Sequence, residues 1–313
     1  MPDMRTIFMG TPDFAVPCLE RLISEGHEVV CVVTQPDRPK GRGRVLAAPP
    51  VKETAAAHQI PVLQPERIRN DQFITQLAAL RPEVIVVVAF GQLLPKSLLD
   101  LPPLGCINVH ASLLPRYRGA APIHWAVING EPVTGVTTMY MDAGMDTGDI
   151  ILSDTTTITA DQTTGELYEV LKLQGAELLA KTMQAIRSGT APRKPQDHDL
   201  ATYAPLLTRE VERVNWKQSA AVVHNLIRGL NPWPGAYCLY QGKIFKLCRT
   251  RISGSEDTGK EPGTIIALSD YGVIVQTGRG TVELLELQPE CRKKMNARDC
   301  AGGYCLSVGE VFD

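Results

Sequence analysis

The strongest constraint on the fold is an alternation in the first half of the chain. Apolar runs at 6–10, 28–34, 83–90, 106–111 and 134–141 are separated by stretches of helical spacing at 13–26, 51–58, 71–80 and 121–130. Strands that are apolar on both sides are covered on both faces, and strands that alternate with helices are joined by crossovers. The pattern therefore predicts an α/β architecture with a doubly wound, mostly parallel, Rossmann-like sheet. The run EVIVVVAF at 83–90 is nearly unbroken Val and Ile and belongs at its centre. In such sheets ligands bind beyond the carboxyl ends of the strands, near the point where strand order reverses.

The texture then changes. A long helix is predicted at 163–188, with Thr163 and Glu166 at capping-box spacing and Gly189 as its stop. Residues 190–208 carry three prolines and hold no helical or strand period, so they read as a linker. From 209 to 313, one helix at 217–230 leads into NPWPG. Short apolar strands then alternate with glycine turns, the pattern of a small, mostly antiparallel, OB-like β-barrel with one helix packed on it. The expected organisation is thus a catalytic α/β domain at 1–189, a linker at 190–208 and a barrel domain at 209–313.

Composition narrows the function. A chain of 313 residues is long enough for two domains, and its formal net charge of −2 leaves no global basic field, so any nucleic-acid site must be a local patch. None of the eight cysteines forms a CxxC pair, which argues against a zinc ribbon or a thioredoxin-like site. Cys31, Cys106 and Cys248 lie in apolar runs and read as small core residues, a usage that fits a reducing compartment. The N-terminus reads as no signal or transit segment, and no apolar run approaches the roughly 20 residues of a membrane span. The first strand–helix turn, MGTPDFAV, lacks GxGxxG, so a dinucleotide-dependent oxidoreductase is not expected.

The chemistry is concentrated at the end of the fourth apolar run. In INVHASLLPRYRG (107–119), Asn108 and His110 are two apart and share one face of a strand. A second loop, MDAGMDTGD (141–149), carries Asp142, Asp146 and Asp149 among glycines and follows the next apolar run. Asn, His and Asp without a neighbouring Ser or Cys nucleophile suggest acyl transfer to an amine, which supplies its own nucleophile. The protein then provides oxyanion donors and a proton handler. Histidines at strand ends and aspartates in glycine turns also occur as structural residues, and from spacing alone that reading stays open. A metal site is disfavoured, because one His with poorly spaced carboxylates is a weak ligand set.

INVHASLLPRYRGAAPIHWAVING followed by TGVTTMYMDAGMDTGDI resembles the signature of the folate-dependent formyltransferase family. MGTPDFAVPCLERL, TQPDRPKGRGR, the linker and the closing barrel extend the resemblance over nearly the whole chain, toward the branch that acts on methionyl-tRNA. The resemblance implies that Asn108, His110 and Asp146 form the catalytic trio. Asn108 and His110 would stabilise the oxyanion, while Asp146 would orient His110 and help to move protons. It implies 10-formyltetrahydrofolate as formyl donor, no metal and no covalent intermediate. Ser112, Leu113, Leu114 and Pro115 would line the folate site. Phe90, Gly91, Leu93 and the 141–146 loop, with Asp142, would wall the pterin slot. The implied acceptor is initiator methionyl-tRNA, the setting a bacterial cytoplasm; a monomer is expected, with no membrane partner.

For the RNA, the segment 34–52 carries Arg38, Lys40, Arg42, Arg44 and Lys52 against the single acid Asp37. It sits just past a strand end, where a basic loop could follow phosphates. On charge alone a solvated loop serves as well. The resemblance implies a role in selecting the initiator tRNA, with Arg42 the foremost candidate. The strand KIFKLCRTR offers Lys243, Lys246, Arg249 and Arg251 as a basic stripe, although residues 210–313 hold 13 basic and 12 acidic residues and are not basic overall. Arg193 and Lys194 are weaker candidates for phosphate contact. Trp233 in NPWPGAY could stack on a base, but a proline-flanked turn packing it between helix and barrel is the expectation. Cys291 and Cys300 depart from the family's closing segment and read as substitutions within a terminal helix. The alternatives are another folate formyl enzyme, acting on a nucleotide or sugar amine or hydrolysing the formyl group, and a non-catalytic RNA-binding protein.

Overall fold

The computed structural model describes residues 4–40, 45–255, 258–304 and 306–313. The described chain forms two compact units. The first comprises Met1–Gly119, Gly135–Thr156 and Tyr168–Tyr203; the second comprises Ala120–Thr134, Thr157–Leu167 and Ala204–Asp313.

In chain order the elements of the first half are β1 (Arg5–Gly10), α1 (Val16–Ser24), β2 (Glu28–Val33), β3 (Arg38–Lys40), β4 (Val45–Ala47), α2 (Pro50–Ala57), β5 (Val62–Leu63), α3 (Asp71–Ala79), β6 (Val84–Val88), α4 (Lys96–Leu99), β7 (Cys106–His110), β8 (Arg118–Gly119), α5 (Pro122–Ile128), β9 (Val133–Tyr140), β10 (Ile150–Thr157) and α6 (Thr164–Arg187). The main sheet has the order β10-β9-β7-β6-β1-β2-β5. β1, β2, β5, β6 and β7 pair in parallel, and β9 runs antiparallel to β7. Every residue of β6 is buried, as its solid Val/Ile run requires. Ile7, Met9, Val33, Ile85, Val87 and Leu98 belong to one apolar cluster of this unit. The chain leaves β1 toward β2 and β5, then returns on the other side as β6. The carboxyl ends of β1 and β6 are therefore the switch point.

Local signals act as expected. Asn70 Oδ1 accepts from Phe73 N at 3.1 Å and starts α3. Thr163 and Glu166 form the reciprocal capping box before α6, with Thr163 N to Glu166 Oε2 at 2.8 Å and Glu166 N to Thr163 Oγ1 at 3.2 Å. β10 has no counterpart in the sequence reading. Its sequence ILSDTTT alternates in exposure at the sheet edge and lacks the two-sided apolar run that marks the inner strands. The stretch 190–208 is also more ordered than a linker. Ile150 N and Lys194 N each donate to the other's carbonyl, and Arg118 N donates to Thr202 O at 2.9 Å. Irregular backbone bonded in this way leaves no period to read.

The second half of the chain adds the short β11 (Tyr203–Ala204), α7 (Arg209–Glu212), α8 (Ala220–Gly229), β12 (Ala236–Tyr240), β13 (Lys243–Gly254), β14 (Ile265–Leu268), β15 (Val273–Gln276), β16 (Thr281–Pro289), β17 (Met295–Asn296) and α9 (Ala297–Tyr304). The expected barrel is corrected in one respect. The strand path β12-β13-β16-β15-β14 is open among the described residues, with β17 on β16. Its two ends are joined by the segment Glu310–Asp313. That segment receives a bond from Ile265 N (2.7 Å), gives one from Phe312 N to Gly263 O (2.9 Å), and exchanges two with Leu239 through Asp313 (3.0 and 2.9 Å). Trp216, Val223, Ile227, Phe245, Leu247 and Phe312 lie in the core of this unit.

Trp233 departs from expectation. It is 69% exposed, with His124 edge-on at 6.3 Å between ring centroids, so the flanking prolines present the indole outward instead of packing it.

Buried polar groups in this unit give it a pH dependence. His224 is 4% exposed. Its Nδ1 meets Thr250 Oγ1 at 2.9 Å and its Nε2 meets the Ala160 carbonyl at 3.1 Å. Burial holds this imidazole below the ordinary histidine range, and the exposed Asp161 carboxylate offsets only part of that. The unfolded chain takes up a proton near pH 6.5 that the folded unit resists. The stabilisation from neutral His224 is complete above about pH 6.5 and is lost as the pH falls from there through the folded value. Thermal unfolding at pH 8 and pH 5.5 should show a lower melting temperature in acid, and His224→Gln should narrow that difference. An equal drop in the variant would remove His224 from the account.

Candidate active site

β7 lies between β6 and β9, and its last residues carry Asn108 and His110 to the sheet's carboxyl edge. His110 is 6% exposed, and its Nε2 lies 3.0 Å from the Tyr117 carbonyl. A carbonyl only accepts, so this contact assigns the proton to Nε2. Nδ1 is then the ring atom that can gain or lose a proton, and it lies 3.6 Å from Asp146 Oδ2, longer than a hydrogen bond. Asn108 Nδ2 approaches Asp146 Oδ1 at 3.4 Å. Gly119 N donates to Asp146 Oδ2 at 2.8 Å, the firmest bond to that carboxylate. The three residues singled out from sequence are thus brought together, with Asp146 between the amide and the imidazole. Asp146 has φ +54°, a left-handed conformation costing about 1–3 kcal/mol for such a residue.

The intervening loop is braced from within. Ser112 is fully buried, and its hydroxyl donates to the Arg116 carbonyl at 2.6 Å. Thr137 Oγ1 donates to Ser112 O and accepts from Leu114 N. Ser112 and the buried Leu114 therefore shape the loop, while Leu113 and Pro115 stay partly exposed.

At the switch point, Thr11 Oγ1 and Gln35 Nε2 both donate to the Phe90 carbonyl, at 3.1 and 3.3 Å. The Phe90 side chain sits in the core; Gly91, in the left-handed region, and Leu93 face outward. Asp142 is exposed, and its Oδ1 accepts from Gly144 N and Thr147 Oγ1, which folds the second loop back on itself. Among the described residues no group of three or more His, Cys, Asp or Glu side chains is placed to hold a metal ion.

Two site residues escaped the sequence reading. Arg118 is 2% exposed and Gln196 6% exposed. Gln196 Oε1 accepts from Arg118 Nε and Nη2, while its Nε2 donates to the carbonyls of Asp146 and Gly148. Arg118 stands in the sequence only as part of the RYRG run, and a lone Gln in a proline-rich stretch carries no signal of its own.

The RNA candidates are spread out. Arg38 and Lys40 lie on β3, paired with β4; Arg42 and Arg44 lie outside the described residues. Lys52 is held by Asp37 at 2.7 Å, a contact that keeps the Asp37 carboxyl below the usual range. In the second unit, Arg251 is tied to the buried Glu283, and Lys246 Nζ donates to the Pro234 carbonyl at 3.0 Å. Lys243 and Arg249 are exposed on β13. Arg193 lies over the Tyr140 ring at 3.7 Å.

An amide donor, an imidazole and a carboxylate gathered in this way, with no hydroxyl or thiol nucleophile among them, are the groups a transferase site would need to stabilise developing charge and to move a proton. The chain belongs to the formyl transferase family: the family's model matches residues 4–183 and the model of its C-terminal domain matches residues 206–304. It is 50% identical over 309 residues to the methionyl-tRNA formyltransferase of Desulforamulus reducens, covering 99% of this chain and 98% of that protein. It is 49% identical over 309 residues to the methionyl-tRNA formyltransferase of Acetivibrio thermocellus, covering 99% of each. Among solved structures, the N-formyltransferase of Helicobacter canadensis in complex with folinic acid and dTDP-3-aminofucose shares the fold (TM-score 0.66, 19% identity, 90% of this chain and 99% of that one). HypX of Aquifex aeolicus in complex with tetrahydrofolic acid does so too (TM-score 0.65, 19% identity), with 99% of this chain matching 49% of that longer one. No described helix is long and apolar enough to cross a membrane.

Proposed function

We propose that this chain transfers the formyl group of 10-formyltetrahydrofolate to the α-amine of methionine on initiator tRNA. The observation that carries the reading is the meeting of Asn108, His110 and Asp146 at the carboxyl edge of the sheet. The full-length identity of about half to methionyl-tRNA formyltransferases supports the acceptor, and the folates held by two structures of the same fold support the donor.

The residues divide the work as follows. The amine nitrogen attacks the formyl carbon and the carbonyl π pair moves onto oxygen. Asn108 Nδ2–H is the uncharged donor for that oxygen. His110 keeps its Nε2 proton on Tyr117, so it serves through Nδ1: when neutral it takes the proton that the amine nitrogen sheds once bonded to the formyl carbon, and when protonated it donates from there. Asp146 Oδ2 faces that atom and stabilises its protonated form. As the intermediate collapses, the bond from the formyl carbon to the folate nitrogen breaks, and that nitrogen receives the proton. No covalent enzyme intermediate and no metal is needed. The pterin is taken by the edge formed at Phe90, Gly91 and Leu93 with the Asp142 loop, and the rest of the folate runs along Ser112–Pro115.

The RNA is engaged by the basic segment at Arg38, Lys40, Arg42 and Arg44 and by Lys243, Lys246, Arg249 and Arg251 of the second unit. The pairing of Arg251 with Glu283 makes it the weakest of the second group. A formyl-transfer assay with 10-formyltetrahydrofolate should modify charged initiator tRNA and spare charged elongator tRNA and free methionine. Folate turnover without tRNA formylation would move the acceptor to another amine, such as that of a sugar nucleotide. Arg42→Ala should raise the KM for charged tRNA and leave folate binding intact; an unchanged rate at limiting tRNA would remove the loop from recognition.

A further inference from the structure

We infer that Gln196 is a positioning residue for Asp146, acting as a clamp that holds the carboxylate where His110 and Asn108 need it. The inference rests on the functional reading above.

The clamp is defined by its partners. Arg118 has only donors, so it must face Oε1; carbonyls only accept, so they must face Nε2. The orientation of the amide is thereby fixed without ambiguity. Oε1 takes Arg118 Nε at 3.1 Å and Nη2 at 2.7 Å. Nε2 gives to the Asp146 carbonyl at 2.9 Å and to the Gly148 carbonyl at 2.7 Å. One buried side chain therefore uses all the hydrogen-bonding capacity that faces the loop.

Its two ends converge on the same carboxylate by different routes. The Nε2 end binds the carbonyl of Asp146 itself, in a residue whose φ of +54° is unfavourable and must be imposed by surroundings. The Oε1 end fixes Arg118, and the next residue, Gly119, supplies the N–H that grips Asp146 Oδ2 at 2.8 Å. Arg118 Nη2 is further held by His198 Nδ1 at 3.2 Å. Gln196 thus couples the backbone of the Asp146 loop to the donor that aims its side chain. Gln196 acts through Asp146.

A misplacement of about 1 Å at a reacting group can lower the rate by about 100-fold. Gln196→Met, which keeps the length and removes both polar ends, should lower kcat for formyl transfer about 10- to 100-fold. The KM values for folate and charged tRNA should stay within a few-fold. Gln196→Glu gives a second, chemical readout. Its carboxylate can still accept from Arg118 but repels the two loop carbonyls, and only its protonated form can donate to one of them. An ordinary glutamate titrates near pH 4.3 and Arg118 favours its ionised form, so the variant should stay impaired throughout pH 6 to 8. Amide hydrogen exchange at 145–149 should be faster in both variants, with the rest of the sheet unchanged. The inference is overturned if kcat in Gln196→Met or Gln196→Glu stays within about twofold of wild type, if the KM values rise as much as kcat falls, or if exchange in the loop is unaltered. A wild-type protein that forms no formyl-methionyl-tRNA would instead sink the proposed function, and the exchange measurement would still decide whether Gln196 holds the loop.

Discussion

Replacing His110 with alanine is expected to lower kcat for formyl transfer by on the order of 100- to 1000-fold, the loss typical of removing one charge-stabilising donor. Both KM values should change little, because the group acts on charge that develops during reaction. The imidazole is the one member of the trio whose proton can come and go at an atom facing the carboxylate, with Nε2 occupied by Tyr117. Groups that act as a unit are not additive, so His110→Ala should lower the rate far less once Asp146 has been replaced. Steady-state kinetics on the two single variants and the double variant check this. Near wild-type turnover in His110→Ala would dismiss the imidazole, and full additivity would mean that the two residues work apart.

Gly148→Ala should be nearly as damaging without touching a reacting group. A methyl there would lie 1.8 Å from the Tyr140 carbonyl oxygen and 2.9 Å from its carbon, and neither backbone atom can rotate away. The loop must shift, and with it Asp146 two residues earlier. A fall in kcat of about 100-fold is expected from displacement on the scale of an ångström, with a loss of stability of about 1–3 kcal/mol from overpacking. Gly144→Ala is the contrast: the atoms its methyl would meet, from 2.0 Å outward, all belong to the Thr147 side chain and none to backbone, so a smaller loss is expected. Kinetics and thermal unfolding of the pair check the argument, and equal effects at both positions would refute it.

The inner strands were legible because their chemistry is repetitive. Val84–Val88 can only be a strand covered on both faces, and Asn108 and His110 are placed on one face by a period of two. β10 was not legible, since ILSDTTT at a sheet edge looks like any polar stretch. How the ends of the second unit's antiparallel sheet meet is not legible for a related reason. Glycine turns and short apolar strands are the same in an open sheet as in a barrel, and the bridging by Glu310–Asp313 uses backbone atoms alone. Of the candidate site, Asn108, His110 and Asp146 stand out by type and spacing, and the family resemblance is what joins them into a trio. Gln196 does not stand out, because its function lies in the geometry of four partners distant in sequence. Trp233 was misplaced because a Pro-Trp-Pro turn states rigidity without stating which way the ring points.

The clamp also bears on how such a chain can be divided and recombined. The family's two models leave residues 184–205 between them, a natural place to cut when halves are expressed separately or grafted onto other proteins. The compact unit bearing the trio continues to Tyr203, and Gln196 lies within the gap. A first half truncated near residue 189 would keep Asn108, His110 and Asp146 and still lack Gln196, the side chain bonded to the Asp146 and Gly148 carbonyls. Chimeras should therefore carry the joint with the first half. Where a half-protein retains its fold but loses its chemistry, the missing piece to restore first is this short, proline-rich stretch.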